Sequence, residues 1–235
     1  MTDRHALPLY LQISEMLIRD INAGRLADGE RLPPERDYAE RLGISVGTLR
    51  KALDQLVDKG LLERVQGSGN YVRHRADVAS IYSFFRLEKV CGGGLPTAEV
   101  LSVARLDKPR DAPAFGDDPQ GHRVRRLRAL DGEVVALEEI WLDGALAGTV
   151  TVADLSESLY QFYRETLGVV IAAVEDRIGV AGLPRWTPPA FHLRPGVPVG
   201  HVERLGWTAE GRAVEYSRTW FDNNKARYVA RMGKG

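Results

Sequence analysis

Cysteine is almost absent from this chain of 235 residues, since Cys91 is the only one. A lone cysteine cannot form an internal disulfide, and this is typical of proteins from a reducing cytosol. The first residues, MTDRHALPLY, lack the apolar stretch of a secretory signal peptide. No apolar run approaches the ~20 residues that a membrane-spanning helix needs. We therefore expect a cytoplasmic protein that does not bind a membrane.

Net charge is also absent, because 32 basic residues balance 32 acidic ones. A general polyanion-binding signature is excluded, so any basic surface must be local. The chain has no zinc-type Cys/His spacing, phosphate-binding loop or recognisable catalytic triad. We therefore predict no metal, no cofactor and no catalytic residues. The length favours two domains.

The segment 32–72 is the most informative part of the chain. Its pattern predicts two short helices joined by a tight turn and followed by a β-hairpin. Pro33 and Pro34 stiffen the entry to the first helix, Gly43 ends it, and Ser45 caps the second. An earlier amphipathic helix is predicted between Pro8 and Gly24. This arrangement indicates a winged helix-turn-helix, which places one helix in the major groove of DNA.

The same residues resemble the DNA-binding domain of GntR-family bacterial transcription regulators. The resemblance covers residues 8–73 in unbroken order, which makes it specific. Its matching pieces are PLYLQI, AGRLADGERLPPER, LGIS, TLRKAL and GLLERVQGSGNYV.

Candidate DNA contacts lie on the second helix, on the helix before it and on the hairpin turn. A guanidinium can bind guanine or phosphate, and glycine allows a close approach to the minor groove. Each charge could instead be solvated, and a tight hairpin needs glycine even without DNA. Val46-Gly47 replaces a basic residue common in the family, so we expect an unusual operator. The candidates are Arg36 (by resemblance), Ser45, Thr48, Arg50, Lys51, Gln66, Gly67 and Gly69.

The rest of the chain predicts a mostly antiparallel sheet, so the expected fold class is α+β. Asp131-Gly132 is a strong signal for a two-residue hairpin between two strands. A helix is predicted over Leu155–Thr166, with Ser156 or Ser158 near its start, and a strand over Val169–Gly179. This region resembles the UTRA effector-binding domain of HutC-like GntR regulators, whose fold is similar to that of chorismate lyase. The matching pieces are RRLRALDGEVVALEEIWL, SLYQFYRETLGV, PVGHVERLGWTAEGRAVEYSRTWF and DNNKARYVARM.

A candidate effector site combines charged residues on predicted strands. Glu138 lies in the middle of an otherwise apolar strand face, which is costly unless the carboxylate is paired or binds a ligand. Arg126 and Arg128 share a face of the preceding strand. Two interpretations remain open: a buried ion pair, or a pocket that offers a cation to an anionic group. The further candidates, several of them by resemblance, are Phe84, Arg86, Ser158, Tyr160, Glu215 and Phe221.

These patterns together predict a DNA-binding domain at 1–75, a linker at 76–82 and an effector-binding domain at 83–235. The resemblance implies a homodimeric, ligand-responsive transcription regulator, most plausibly a repressor, with a pseudo-palindromic operator. Two alternatives stay open. One is a ligand-blind DNA-binding protein, and the other, less favoured because no catalytic set is visible, is an enzyme with a lyase-like domain.

Overall fold

The computed structural model describes residues 8–75, 80–155 and 158–231. By their contacts, residues 8–86 with 229–231 form one compact unit, and residues 87–228 form a second. The predicted linker falls partly on residues 76–79, outside the described residues. The predicted domain limits therefore stay a prediction.

The first unit contains three helices and a two-stranded hairpin. Each boundary has the local cause that the sequence indicated. Helix α1 follows Pro8, α2 follows Pro34 without a side-chain cap, and α3 follows Ser45, whose hydroxyl caps it. Gly24 and Gly43 adopt positive φ angles after α1 and α2, as helix-terminating glycines do. The elements are α1 Leu9–Asn22, α2 Glu35–Arg41, α3 Val46–Asp58, β1 Leu62–Val65 and β2 Gly69–Val72.

The core of this unit forms where α1 packs on α3. Leu17 and Ile18 of α1 and Leu49, Leu53 and Leu56 of α3 are each at most 1% exposed. Fully burying one such side chain contributes about 1.5–3 kcal/mol, so this contact holds α3 in position. The opposite side of α3 is left for solvent or for a partner.

The hairpin of β1 and β2 is antiparallel and forms the wing. A short third segment runs along β2: Arg31 forms an isolated bridge with Tyr71, and the Leu32 N–H donates to the Asn70 carbonyl at 2.9 Å. The wing is thus anchored to the chain segment that enters α2.

The second unit is built on a six-stranded sheet in the order β4-β5-β6-β9-β8-β7, and every adjacent pair is antiparallel. This confirms the α+β class and the mostly antiparallel sheet. The elements are β3 Leu87–Lys89, β4 Pro96–Asp107, β5 Gln120–Leu130, β6 Glu133–Asp143, α4 Leu159–Thr166, β7 Ala173–Gly182, β8 Pro198–Trp207, β9 Ala213–Phe221 and β10 Ala226–Tyr228.

Three details of the second unit differ from the sequence prediction. Helix α4 starts at Leu159, after a separate 3-10 turn over Val152–Asp154 that Thr151 caps. Ser156, one of the two suggested starts, lies outside the described residues. Strand β7 is shifted towards the C-terminus from its predicted range. The small sheet of β3 and β10 was not predicted, because three-residue strands carry no periodicity.

The two faces of the large sheet are covered differently. On one face, α4 reaches the sheet through a hydrogen bond from the Tyr160 hydroxyl to the Glu215 carboxylate. On the other face, two apolar clusters form under the connecting segments 108–119 and 183–197. Their centres are Phe115 with Trp141 and Tyr216, and Leu127 with Leu137 and Trp220. The face under α4 carries the buried charged residues Arg126, Arg128, Glu138 and Glu215.

Candidate DNA-binding and effector sites

The start of α3 is held by a pair of hydroxyls. Ser45 Oγ accepts the Thr48 N–H at 3.0 Å, and the two side-chain oxygens lie 2.8 Å apart. Both residues lie where the helix-turn-helix geometry predicts base contacts. Capping the helix is by itself a sufficient reason for both hydroxyls, so the contacts of Ser45 and Thr48 to DNA stay a prediction.

Arg50 on α3 forms an ion pair with α2. Its Nε lies 2.6 Å from Glu35 Oε2, at the start of α2. Sequence reasoning missed this ion pair, because the residues are 15 positions apart and meet only through the crossing of the two helices. The Arg50 side chain is 64% exposed. A pair this exposed is worth about 0–1 kcal/mol, so the guanidinium can be released to a nucleic acid at little cost.

The remaining DNA candidates are exposed. Arg36 lies on α2 and Lys51 on α3, both facing solvent. Gln66, Gly67 and Gly69 form the exposed wing turn. Gly67 and Gly69 have φ angles of 74° and 132°, so the turn itself requires glycine.

Phe84 and Arg86 belong to the first compact unit, whereas the other effector candidates belong to the second. The segment 80–86 belongs to the same compact unit as the helix-turn-helix. Here the Arg19 guanidinium lies 6.0 Å from the Phe85 ring centre, and Arg86 donates to the Ser83 carbonyl. The part of Phe84 and Arg86 in effector binding stays a prediction.

The charged cluster on β5 and β6 forms as the strand register predicts. Arg126 lies directly across from Glu138, and the two Nη2–Oε2 distances are 2.6 Å for Arg126 and 3.1 Å for Arg128. All three side chains are buried. Two guanidinium groups therefore share the Glu138 carboxylate inside the unit.

Glu138 is strongly held in its ionised form. Burial alone would raise its pKa, but the nearby charges of Arg126 and Arg128 outweigh that cost and hold the pKa at about 2 instead of 4.5. The pKa of Arg126 is lowered, chiefly by burial and against the attraction of Glu138. The cluster is an ion pair at any physiological pH.

Glu215 on β9 has the opposite character. It is 2% exposed and accepts a hydrogen bond from Tyr160 at 3.0 Å. Burial raises its pKa, against the hydrogen bonds from Tyr163 and Tyr160. Tyr163, which sequence reasoning missed, lies beside it on α4 with a pKa raised mainly by burial. The helical spacing of Tyr160 and Tyr163 was the signal that could have paired them.

Ser158 and Phe221 complete the predicted set around α4 and the sheet. Ser158 caps α4 by accepting the Gln161 N–H at 3.3 Å. Phe221 lies on the same sheet face as Glu215, and its ring occupies the space that a side chain at position 200 would fill. Gly200 is therefore needed for the ring to lie flat on β8.

A partly buried ion pair extends the face towards β7. Arg204 Nε and Nη2 each lie 2.6 Å from an oxygen of Asp176, and the Tyr228 hydroxyl donates to the same carboxylate. The hydrogen bond and charge of Asp176 overcome burial and raise the pKa of Arg204. Sequence reasoning missed this pair, since the residues are far apart in the chain.

Other parts of the second unit do not continue this site. A surface pocket of about 330 Å³ is lined by residues 108–119, beside the Phe115 cluster on the opposite face of the sheet. Within the described residues, no three His, Cys, Asp or Glu side chains converge as metal ligands would. No described helix has the length and apolarity to span a membrane.

Two family models match the chain, in the order that the fold indicates. Residues 9–72 match the bacterial regulatory proteins of the gntR family, and residues 92–227 match the UTRA domain. The chain belongs to the GntR family of bacterial regulatory proteins. As a GntR protein with a UTRA domain, it is a transcription regulator that joins a DNA-binding domain to an effector-binding domain.

Curated relatives align with this GntR protein over nearly their whole length, and their names describe them as regulators. The HTH-type transcriptional regulator SmoD of Agrobacterium fabrum is 56% identical over 97% of each chain. The HTH-type transcriptional repressor NagR of Bacillus subtilis is 25% identical over 97% of this chain and 96% of its own. The mannosyl-D-glycerate transport/metabolism system repressor MngR of Escherichia coli is 29% identical over 94% and 95%.

Solved structures share the fold. YydK from Bacillus subtilis superposes with a TM-score of 0.54 at 21% identity, covering 97% of this chain and 100% of its own. PhnF from Mycobacterium smegmatis gives 0.51 at 18% identity, covering 96% and 100%.

Proposed function

We propose that this protein is a ligand-responsive repressor whose second unit binds a polyhydroxylated organic anion on the sheet face under α4. The observation that carries the proposal is the cluster in which Arg126 and Arg128 share Glu138. Two buried guanidinium groups that converge on one place can bind the anionic group of a ligand through charge-assisted hydrogen bonds.

The groups around the cluster favour hydroxyls as well as an anion. Tyr160 of α4 and Glu215 of β9 lie in hydrogen-bond contact, and the carboxyl group of Glu215 accepts hydrogen bonds when ionised and can also donate one when protonated. The name of MngR, a repressor of a mannosyl-D-glycerate system, couples a sugar to a carboxylate. That relative supports the ligand class without identifying the ligand of this chain.

Repression is proposed because NagR and MngR are both named repressors. Effector binding would change operator affinity through a coupling of typically 1–3 kcal/mol. The effector unit then acts as a sensor and not as an enzyme. We further propose a cytoplasmic homodimer on a pseudo-palindromic operator, because a two-fold protein matches two half-sites.

The dimer proposal is supported by the outer edge of the sheet. Strand β7 is an edge strand, and its Ile178 and Val180 are 58% and 75% exposed. If two copies pair antiparallel with Gly179 on the two-fold axis, Ile178 of each copy faces Val180 of the other. A long apolar edge of this kind favours pairing with a second strand.

The test is thermal stability of the purified protein in the presence of sugar phosphates, sugar acids and amino-acid derivatives. A ligand specific for the folded state at about 100 times its Kd adds about 2.7 kcal/mol, which raises Tm by several degrees. An operator-binding assay with and without the hit then reports release or recruitment.

The matched control uses the neighbouring strand position. Arg125 pairs with Glu139 at 2.8 Å on the opposite face of the same two strands. Arg126→Gln should abolish the ligand shift while DNA binding persists, and Arg125→Gln should retain both. A shift that survives in Arg126→Gln, or no shift with any anion in the panel, would refute the proposed site.

A further inference from the structure

Several basic side chains of the helix-turn-helix unit are paired with carboxylates of the same unit. Five exposed or partly exposed cations have carboxylate partners within 3.4 Å, so they present little net charge to a polyanion. The pairs are Arg25–Asp20, Arg50–Glu35, Lys59–Glu15, Arg64–Asp54 and Arg73–Glu63.

Four cations of this unit differ from that pattern. Arg31, Arg36, Arg41 and Lys51 are exposed and have no ion-pair partner among the residues that the structure describes. Arg36, Arg41 and Lys51 lie on α2 and α3. Arg31 alone of the four lies beside the wing.

The position of Arg31 is fixed by backbone contacts. It bridges to Tyr71, and the flanking Leu32 N–H donates to the Asn70 carbonyl. A Cβ atom at position 69 would lie 3.2 Å from Arg31 Nε. The absence of a side chain at Gly69 therefore leaves room for the guanidinium to lie against the wing turn.

We propose that Arg31 is a further DNA-binding residue, whose guanidinium neutralises a backbone phosphate next to the wing turn. It needs no internal ion pair to break, unlike Arg64 and Arg73 on the wing strands. Its planar group suits phosphate oxygens, and its backbone is held on both sides, so little conformational entropy of the main chain is lost on binding. The assignment concerns the DNA-binding unit and is independent of the effector.

The test is the salt dependence of binding to a DNA duplex of random sequence, between about 50 and 200 mM salt. Each phosphate contact contributes about 0.9 to the slope of log affinity against log salt. Arg31→Gln should lower that slope by about 0.9 for each DNA-bound unit, and Arg31→Lys should restore most of it.

The matched control is Arg73→Gln, which removes an exposed wing cation that Glu63 already neutralises. It should leave the slope near the wild-type value. An unchanged slope in Arg31→Gln would overturn the proposal, and so would an equal loss in Arg73→Gln, which would indicate a general charge effect. Equal far-UV circular dichroism of the variants and wild type establishes that each change acts on binding and not on folding.

Discussion

At the scale of single residues, two buried carboxylates on one sheet face behave oppositely. Glu138 has two guanidinium partners, whereas Glu215 accepts a hydrogen bond from the Tyr160 hydroxyl. Glu138→Gln removes the carboxylate that two buried cations share and should lower the free energy of unfolding by about 3–5 kcal/mol. Glu215→Gln removes a charge that burial penalises and should be neutral or stabilising. Urea unfolding of both variants at neutral pH measures the difference, and equal destabilisation would contradict the assignment.

The two carboxylates also differ in the sign of their pH dependence. Because the pKa of Glu138 falls from 4.5 to about 2 on folding, its stabilisation is complete above pH 4.5 and is lost as the pH falls towards 2. The stability difference between wild type and Glu138→Gln should therefore shrink across this range. Denaturant titrations at a series of acidic pH values measure it, and a difference independent of pH would exclude the ion pair.

Glu215 should show the reverse trend. Its pKa is raised by burial, so its contribution is complete below the ordinary pKa of 4.5 and is lost as the pH rises through the raised value. Wild type should thus lose stability relative to Glu215→Gln as the pH rises from acidic to neutral. The same titrations extended to neutral pH test this, and a constant difference would show that Glu215 keeps its ordinary pKa in the folded protein.

At the scale of elements, Glu15 on α1 joins three parts of the first unit. Its carboxylate binds Lys59 at the end of α3 at 3.0 Å and accepts the Ile81 N–H at 2.8 Å. Ser80 Oγ donates to the Glu15 carbonyl at 2.9 Å. The segment that leads to the second unit is therefore fastened to the helix on which α3 packs.

A graded series of substitutions separates these contacts. Glu15→Gln keeps an acceptor for the Ile81 N–H and loses only the partly exposed Lys59 pair, worth about 0–1 kcal/mol. Glu15→Ala also leaves that N–H unsatisfied, which costs about 1–3 kcal/mol. Hydrogen exchange at Ile81 should be fast in Glu15→Ala and close to wild type in Glu15→Gln. Equal exchange in both variants would show that the carboxylate does not hold the segment.

The elements that could be predicted are those whose cause is local. The hairpin between β5 and β6 followed from Asp131-Gly132, whose φ angles of 50° and 78° are the positive values that such a turn needs. That turn and the two-residue period left open which arginine meets Glu138, because the register shift between Arg128 and Ala129 is what brings Arg126 across from it. The pairing of β3 with β10 and the Arg204–Asp176 ion pair depend on distant segments, and no local pattern encodes them.

At the scale of the whole molecule, β7 is an edge strand of the large sheet among the residues that the structure describes. The apolar side chains of Ile178 and Val180 on β7 are 58% and 75% exposed to solvent. The charged side chains on the other face of the strand do not cover them. Dimerisation through this edge would set the spacing of two DNA-binding units, and that spacing must match the two half-sites of the proposed operator.

The dimer proposal predicts that one substitution at this edge separates assembly from folding. Val180→Lys places a charge opposite the apolar Ile178 of the second copy and should halve the mass measured by light scattering at micromolar concentration. Val152→Lys is the matched control, since Val152 is 46% exposed on a 3-10 turn outside the sheet. It should keep the wild-type mass. A wild-type monomer, or a Val180→Lys variant that keeps the dimer mass, would rule out β7 as the dimer interface. Loss of the dimer should also weaken binding to an operator with two half-sites far more than binding to a single half-site.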